Sequence, residues 1–305
     1  MKFLIILIFI MSNSTGNCQM LDNSKGMTFS EKPFFNTNFI KKNKIKRITG
    51  HYSAKAELSS ITESANIYVY QFNKNGELIK EFKTKNNDTI VSQYRYDSFG
   101  NLIQIRKSDN YGFHSYHYKF DSLNRMIHQE YRRDITKSDD ITKFDLDKSF
   151  YISSESYRYE STSIGMKKQY YNSKDKIYKT EFFYRDKDGY LLKKDHQLKT
   201  GSGRGQTVYT YGDKGLISEK QTETYIIGKT TTKMKFEYDS FENVLAQHYY
   251  RNGIYLTEYQ IIYDEKTMLL SAVLTRDVKL NFITILKLSN YSFFETVEQE
   301  ILINP

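Results

Sequence analysis

Three ten-residue segments follow one another at constant spacing: YQFNKNGELI begins at Tyr70, YRYDSFGNLI at Tyr94 and YKFDSLNRMI at Tyr118, 24 residues apart each time. A period of this size means that the fold is built from copies of one small unit, none of which buries its apolar face alone. Further copies begin at Tyr209 (YTYGDKGLIS), Phe236 (FEYDSFENVL) and Ile261 (IIYDEKTMLL). Weaker ones surround Tyr171 and Phe183, and Tyr157 with Tyr159 opens another. The shared pattern is aromatic, any, aromatic, Asp or Asn, two residues, Gly or polar, any, aliphatic.

Each part of the pattern has a physical reason. Aromatics two apart fall on one face of a strand, as Tyr94 and Tyr96 do. Asp97, Ser98, Phe99 and Gly100 make a turn, because Asp hydrogen-bonds its own backbone and Gly accepts positive φ in a bulged hairpin. With Gly100 as the bulge, Asp97 stands opposite Asn101 and Tyr96 opposite Leu102, so one face carries Tyr94, Tyr96 and Leu102. The helical spacing i, i+3, i+4, i+7 is not sustained. The 20 Phe and 27 Tyr, with no Trp, point the same way, since these aromatics favour strands. The expected fold is all-β: an antiparallel hairpin array over residues 61–275, twisted or curled into an open sheet, with a leading segment at 19–60 and C-terminal strands or a cap at 276–305. Tyr70, Tyr94, Tyr96, Tyr118, Tyr209, Tyr211 and Tyr238 are the candidate binding and structural aromatics. Asp97, Gly100, Asp121, Asp239 and Asp264 are the repeat-turn residues. Connecting loops are expected near 86–87, 109–112, 134–140 and 201–205.

The segments at Tyr94, Tyr118 and Phe236 resemble the tyrosine–aspartate (YD) repeats of the Rhs and teneurin type, whose pattern is close to YxYDxxGxL. The resemblance covers about two thirds of the chain. It implies a secreted or surface-exposed β-structure. The shell that large members build around a toxin is not implied, because this chain is too short and has only Pro33 and Pro305 where such shells have a Pro-rich closing segment. Asn124, Glu242 and Thr267 replace the turn Gly, and Gly212 replaces the turn Asp. KNGEL at Lys74 and YYRNGIY at Tyr249 are also similar to MORN-type repeats, which imply a similar sheet.

Lys2 followed by the apolar run 3–11 and then small polar residues has the layout of a secretory signal peptide over 1–18. The run falls short of the roughly 20 residues a membrane helix needs. Cleavage after Cys18 would leave Gln19 first and no cysteine behind; the alternative makes Cys18 a lipid anchor, against which Asn17 stands. No further segment has the length of a transmembrane helix. The chain is therefore expected in the periplasm, at the cell surface or outside the cell. A formal charge of +9 is spread thinly, and its one dense run, Lys41, Lys42, Lys44, Lys46 and Arg47, reads as a solvated strand edge or lead-in.

Chemistry is hard to find. His114 and His117 sit three apart, on opposite faces of a strand, so they do not share a metal. The segment TGSGRGQT at 200–207 lacks a Gly-Lys-Ser/Thr ending and a following helix, and reads as a loop. No nucleophile elbow or zinc-protease motif is present, and recurring turn aspartates are turn chemistry rather than a carboxylate pair. No catalytic residue, cofactor or metal is expected, and no nucleic acid. The expected function is a non-catalytic envelope or extracellular binding or scaffold module, with a glycan or a cell-surface protein as ligand. The alternative is a structural accessory of a larger secreted protein. An exposed aromatic row would favour the glycan, an uncovered sheet edge the protein partner.

Overall fold

The computed structural model describes residues 19–295 except 31, 86, 87, 110, 139 and 164. The expected signal peptide, Cys18 and the last ten residues lie outside the described residues. After a short helix α1 (Thr37–Lys42) come eighteen strands: β1 (Ile45–Lys55), β2 (Thr62–Phe72), β3 (Leu78–Lys85), β4 (Asp88–Tyr96), β5 (Leu102–Asp109), β6 (Gly112–Phe120), β7 (Met126–Thr136), β8 (Leu146–Thr162) and β9 (Gly165–Tyr171), then β10 (Ile177–Arg185), β11 (Leu191–Leu198), β12 (Arg204–Tyr211), β13 (Ile217–Tyr225), β14 (Lys229–Tyr238), β15 (Val244–Arg251), β16 (Ile254–Tyr263), β17 (Leu270–Asp277) and β18 (Phe282–Phe293). Each pairs antiparallel with the next.

The expected open sheet is corrected on one point. β18 pairs with β1 along Ile45–Lys55, while β1 also pairs with β2, so the sheet closes into an eighteen-stranded barrel. The lysine run accordingly guards no free edge: Lys41 and Lys42 end α1, where cations suit the helix C-terminus, and Lys46 and Arg47 enter a strand paired on both sides. Closure requires the register to slip along the strands. β8 supplies much of that slip, pairing with β7 through residues up to Ser156 and with β9 from Ser156 onward.

The repeat hairpins form as their sequence dictates. Tyr96 pairs with Leu102, and Asp97 Oδ1 accepts from the N–H groups of Phe99 and Asn101, both at 2.9 Å. Asp121 and Asp239 repeat that bond to the fourth residue on, at 2.9 and 2.8 Å. Gly100 has φ +80, and Asn124 (+56) and Glu242 (+72) take the same left-handed conformation where Gly is missing. In the last copy the turn is one residue longer: Met268, not Thr267, has positive φ, and the Thr267 hydroxyl bonds Asp264 instead.

Where the second aromatic of a repeat is Tyr, rather than Phe as at Phe72 and Phe120, it has a further use. Its hydroxyl donates to the first carbonyl of the preceding strand: Tyr96 to Leu78 at 3.0 Å, Tyr211 to Leu191 at 3.0 Å, Tyr238 to Ile217 at 2.8 Å and Tyr263 to Val244 at 3.2 Å. Tyr159 and Tyr291 do the same to Met126 and Leu270. Each of these six phenols thus fastens its strand end to the neighbouring strand.

The lumen is filled at one end by the segment before β1. Its limbs pair at Leu21 and Phe35, with Asp22 N–H donating to Phe34 C=O at 2.7 Å. Met20, Leu21, Phe34, Phe35, Phe39 and Ile40 are buried in one cluster with Tyr70, Phe72, Tyr94, Phe236, Val244, Ile261 and Leu270 of the wall. Phe35 meets Tyr70 and Phe72 edge-on at 4.8 and 5.0 Å, and Phe29 stacks on Tyr259 at 5.3 Å. Lys220 donates to Gly26 C=O at 3.1 Å, and Asn23 to the Tyr238 hydroxyl at 2.9 Å. A segment that touches β2, β13, β14 and β16 at once sits inside the barrel. We call it the plug.

The outer face mixes polar rows with apolar ones such as Val69, Phe82 and Val91. One row crosses β2 to β7 as Gln71, Lys80, Gln93, Arg106, Ser115 and Arg132. Another crosses β13 to β17 as Glu219, Lys235, His248, Glu258 and Arg276. Each outward Arg or Lys would cost about 2–4 kcal/mol at the middle of a bilayer, and membrane barrels face lipid with an apolar band. These two rows do not form such a band. On β5–β8 the outer face is partly covered by the 137–145 loop, where Phe144 stacks on Phe113 at 5.1 Å over a buried Arg106–Asp134 pair at 2.8 Å.

Candidate functional site

The aromatic stripe turns inward, so the candidate residues line the lumen. Tyr70, Tyr94 and Tyr118 are 5%, 3% and 8% exposed, and Tyr96, Tyr209, Tyr211 and Tyr238 are half-buried on the same face. Burial pushes the Tyr118 and Tyr238 phenols up to about 12, and Tyr70 and Tyr94 well above the ordinary range. The turn residues Asp97, Gly100, Asp121, Asp239 and Asp264 lie apart from them, at the rim. The carboxyls of Asp97, Asp121 and Asp264 are held below the usual range by their side-chain and backbone hydrogen bonds within the turn. No aspartate of this set approaches another across a cleft, as hydrolytic chemistry would need.

The plug divides the lumen into two chambers. The first, about 830 Å³, lies between Phe29, Lys32 and Phe34 of the plug and a wall that includes Tyr52, Tyr68, Tyr94, Tyr116, Tyr131 and Glu81. Burial raises Glu81, against the hydrogen bonds of Tyr68 and Tyr94. At its lower edge Asp109 is held low by Arg133, with His114 Nε2 at 2.8 Å. His117, on the opposite face of β6, meets Gln104 instead.

The second chamber, about 980 Å³, lies between Asp22, Asn23, Lys25 and Met27 of the plug and β9–β14. Its wall carries Lys179, Lys194, Lys220, Arg185, His196 and Glu181 among Tyr190, Tyr209 and Tyr211. Burial pushes Glu181 up, but the Tyr170 hydroxyl and the charges of Lys194 and Lys179 outweigh it and keep the carboxyl low. Beyond that lining, Lys168 pairs across from Glu181 and stands over the rings of Tyr157, Tyr170 and Tyr159 at 3.9, 4.5 and 5.6 Å. Burial, only partly offset by Glu181, brings its pKa down to about 8, helped by Lys179 and by Lys32 of the plug. Burial also lowers Lys220, with Lys194 beside it, and Lys32, with Lys25 beside it. His196 is lowered first by burial.

Lys25, Lys179, Arg185, Lys194 and Lys220 face this space against Asp22 and Glu181, so the chain supplies more cation there than its own carboxylates neutralise. The chamber is therefore chemically suited to an anion with apolar faces: ammonium groups for charge, phenol rings for stacking. Sequence reading missed these lysines. Their one signal is position, since Lys168 lies two before Tyr170 and Lys220 pairs across from Tyr209, and it has meaning only once the aromatic face is known to enclose a space.

Among the described residues no cluster of His, Cys, Asp or Glu is placed to hold a metal ion, and no helix is long and apolar enough to cross a membrane. No protein-family model matches the chain, and no curated protein does. Solved structures are similar at low identity. The crystal structure of TcdB2-TccC3-TEV is 15% identical with a TM-score of 0.32, over 75% of this chain and 13% of that one. A porin-like protein from Bacteroides vulgatus ATCC 8482 is 11% identical with a TM-score of 0.35, over 78% of this chain and 96% of that one. A porin-like protein from Bacteroides uniformis ATCC 8492 is 10% identical with a TM-score of 0.36, over 81% and 97%.

Proposed function

We propose that the protein is an exported, non-catalytic binding barrel of the cell envelope or extracellular space, and that its ligand is an acidic oligosaccharide held in the second chamber. The observation that carries this reading is the excess of cations, the half-buried Lys179, Lys194 and Lys220 among them, over the carboxylates Asp22 and Glu181 in a tyrosine-lined space of about 980 Å³, a size typical of small-ligand sites. Sugar rings stack on phenols, and uronate or sulfate groups would take charge-assisted hydrogen bonds from Lys194 and Lys220. Export is supported by the leader-like residues 1–18 and by the YD-like repeat, and membership in that repeat class is part of the proposal. The alternative, a structural accessory that adds a partner's strand to a free edge, has no edge to use among the described strands.

The test is an oligosaccharide array read with the purified protein, comparing neutral with uronate-bearing and sulfated chains. Acidic chains should bind and neutral ones should not. Lys194→Met with Lys220→Met should weaken binding by about tenfold or more, as losing charge-assisted bonds does. Absence of binding to any acidic chain, or affinity unchanged in the double variant, sinks the reading.

A further inference from the structure

The two ends of the barrel differ. In an antiparallel meander alternate connections share an end, so the turns bearing Asp97, Asp121, Asp186, Asp239 and Asp264 form one rim, closed from inside by the plug and α1. The connections after β1, β5, β13 and β17 form the other. There the loop tips are aliphatic or aromatic and stand out into solvent: Leu58 and Ile227 are fully exposed, and Ile61, Tyr111, Ile226 and Leu280 are more than half exposed. A soluble protein gains nothing from presenting Ile226–Ile227 at the tip of a hairpin, where turn chemistry favours Gly, Asn or Asp. Basic side chains flank these tips on the sequence, Lys55, Lys229, Arg251 and Lys279, interspersed with Glu57, Asp109 and Asp277; Lys229 also pairs with Glu223 at 2.9 Å. Both chambers reach this end, the first at Asp109 and the second at Gly203 and Ile226, although the second also extends to Gly189 and Gly215 of the Asp-turn rim.

We infer that this rim is a membrane-docking face, and that its partner is the surface of an anionic phospholipid bilayer. Separate apolar tips reach past the headgroups while the lysines and arginine meet the lipid phosphates, and the charged rows of the outer wall stay in water. The Asp-turn rim also shows exposed Phe99, Leu123 and Phe241, but they stand among aspartates, which such a surface repels. Docking would bring the chamber mouths against the membrane. The inference goes beyond the oligosaccharide reading and needs no ligand in the lumen, so either can fail alone.

The experiment is flotation of the purified protein with vesicles of phosphatidylcholine alone and of phosphatidylcholine mixed with phosphatidylglycerol, at low and high salt. The anionic vesicles should carry the protein, less so at high salt. Ile226→Ser with Ile227→Ser should lower partitioning by about tenfold or more, since each aliphatic side chain loses its burial. Lys229→Gln with Arg251→Gln should lower it and flatten the salt dependence. Phe99→Ser with Phe241→Ser, at the opposite rim, should leave it unchanged. Thermal melting of every variant should match the parent, because all of these side chains are outside the core. Absence of flotation with anionic vesicles overturns the inference. So does an equal loss from the Phe99 and Phe241 pair, or capture by a protein partner through Ile226 and Ile227 with no vesicle binding.

Discussion

Replacing Phe35 by Ala tests whether the plug is part of the core or a removable insert. The side chain is 6% exposed and has three aromatic neighbours, Tyr70 at 4.8 Å, Phe72 at 5.0 Å and Phe34 at 5.0 Å. Removing a buried Phe costs about 3–5 kcal/mol, the ring-ring geometry placing this site toward the upper part of that range. Domain stabilities are of order 5–15 kcal/mol, so the loss is a large share of the whole. The assay is urea unfolding followed by a wall signal such as far-ultraviolet circular dichroism, with limited proteolysis of residues 19–44 alongside. If plug and wall form one cooperative core, the midpoint falls with the slope unchanged, and protease sensitivity rises only with global unfolding. Phe99→Ala, at an 81% exposed turn tip, should stay within about 0.5 kcal/mol of the parent. A Phe35 variant that unfolds at the parent's midpoint while its plug is cut rapidly would refute the single-core reasoning. One that matches the parent in both measurements would refute the packing itself.

Gly76 and Gly189 occupy the same turn position with φ of +83 and +88, but a Cβ on Gly76 would lie 2.0 Å from the Thr37 carbonyl oxygen of α1, whereas Gly189 has nothing within 4 Å. Alanine at 189 should cost only the left-handed strain of about 1–2 kcal/mol, and alanine at 76 clearly more, with α1 displaced; equal melting temperatures for the two would disprove the docking of α1 on that turn. Lys168 gives a pH dependence of known sign: its folded pKa of about 8 lies below the ordinary 10.5, so from about pH 8 the folded chain binds fewer protons than the unfolded one and stability rises with pH. Above about 10 the raised tyrosines reverse the trend, because the unfolded chain loses phenolic protons first. Lys168→Met should flatten the rise between pH 8 and 10 in urea titrations, and an unchanged slope would rule out the buried ammonium as its source.

The parts of the fold that were legible in the sequence are those decided within a hairpin. Asp97, Gly100 and Leu102 fix a turn, a bulge and a register in nine residues, and the structure has that register. The inward face followed from the spacing of Tyr94 and Tyr96. Closure was not legible, because it rests on Ile45–Lys55 meeting Ile283–Phe293, and neither strand carries the aromatic pair and aspartate turn of the repeat. The plug was hidden for a related reason: Met20, Phe34 and Phe35 show no period, and their burial is decided by a cavity that exists only after the sheet has closed. The lysines of the second chamber inherit that difficulty. On an open sheet Lys220 would be an ordinary solvated residue, and only an enclosing wall makes its charge expensive. The hydroxyls of Tyr96, Tyr211 and Tyr238 show a smaller gap, since an aromatic stripe explains their rings but not why Tyr, rather than Phe, stands at the strand end.

The seam between β1 and β18 sets a timetable for assembly. Among the described strands every other pairing joins neighbours in sequence and can form as soon as its hairpin exists, but the seam joins the first of them to the last. Until residue 293 has emerged, the growing sheet has two open edges, each able to pair with another chain, and the plug has no enclosure to fill. Loss of even its final strand would leave not a slightly smaller barrel but a sticky ribbon.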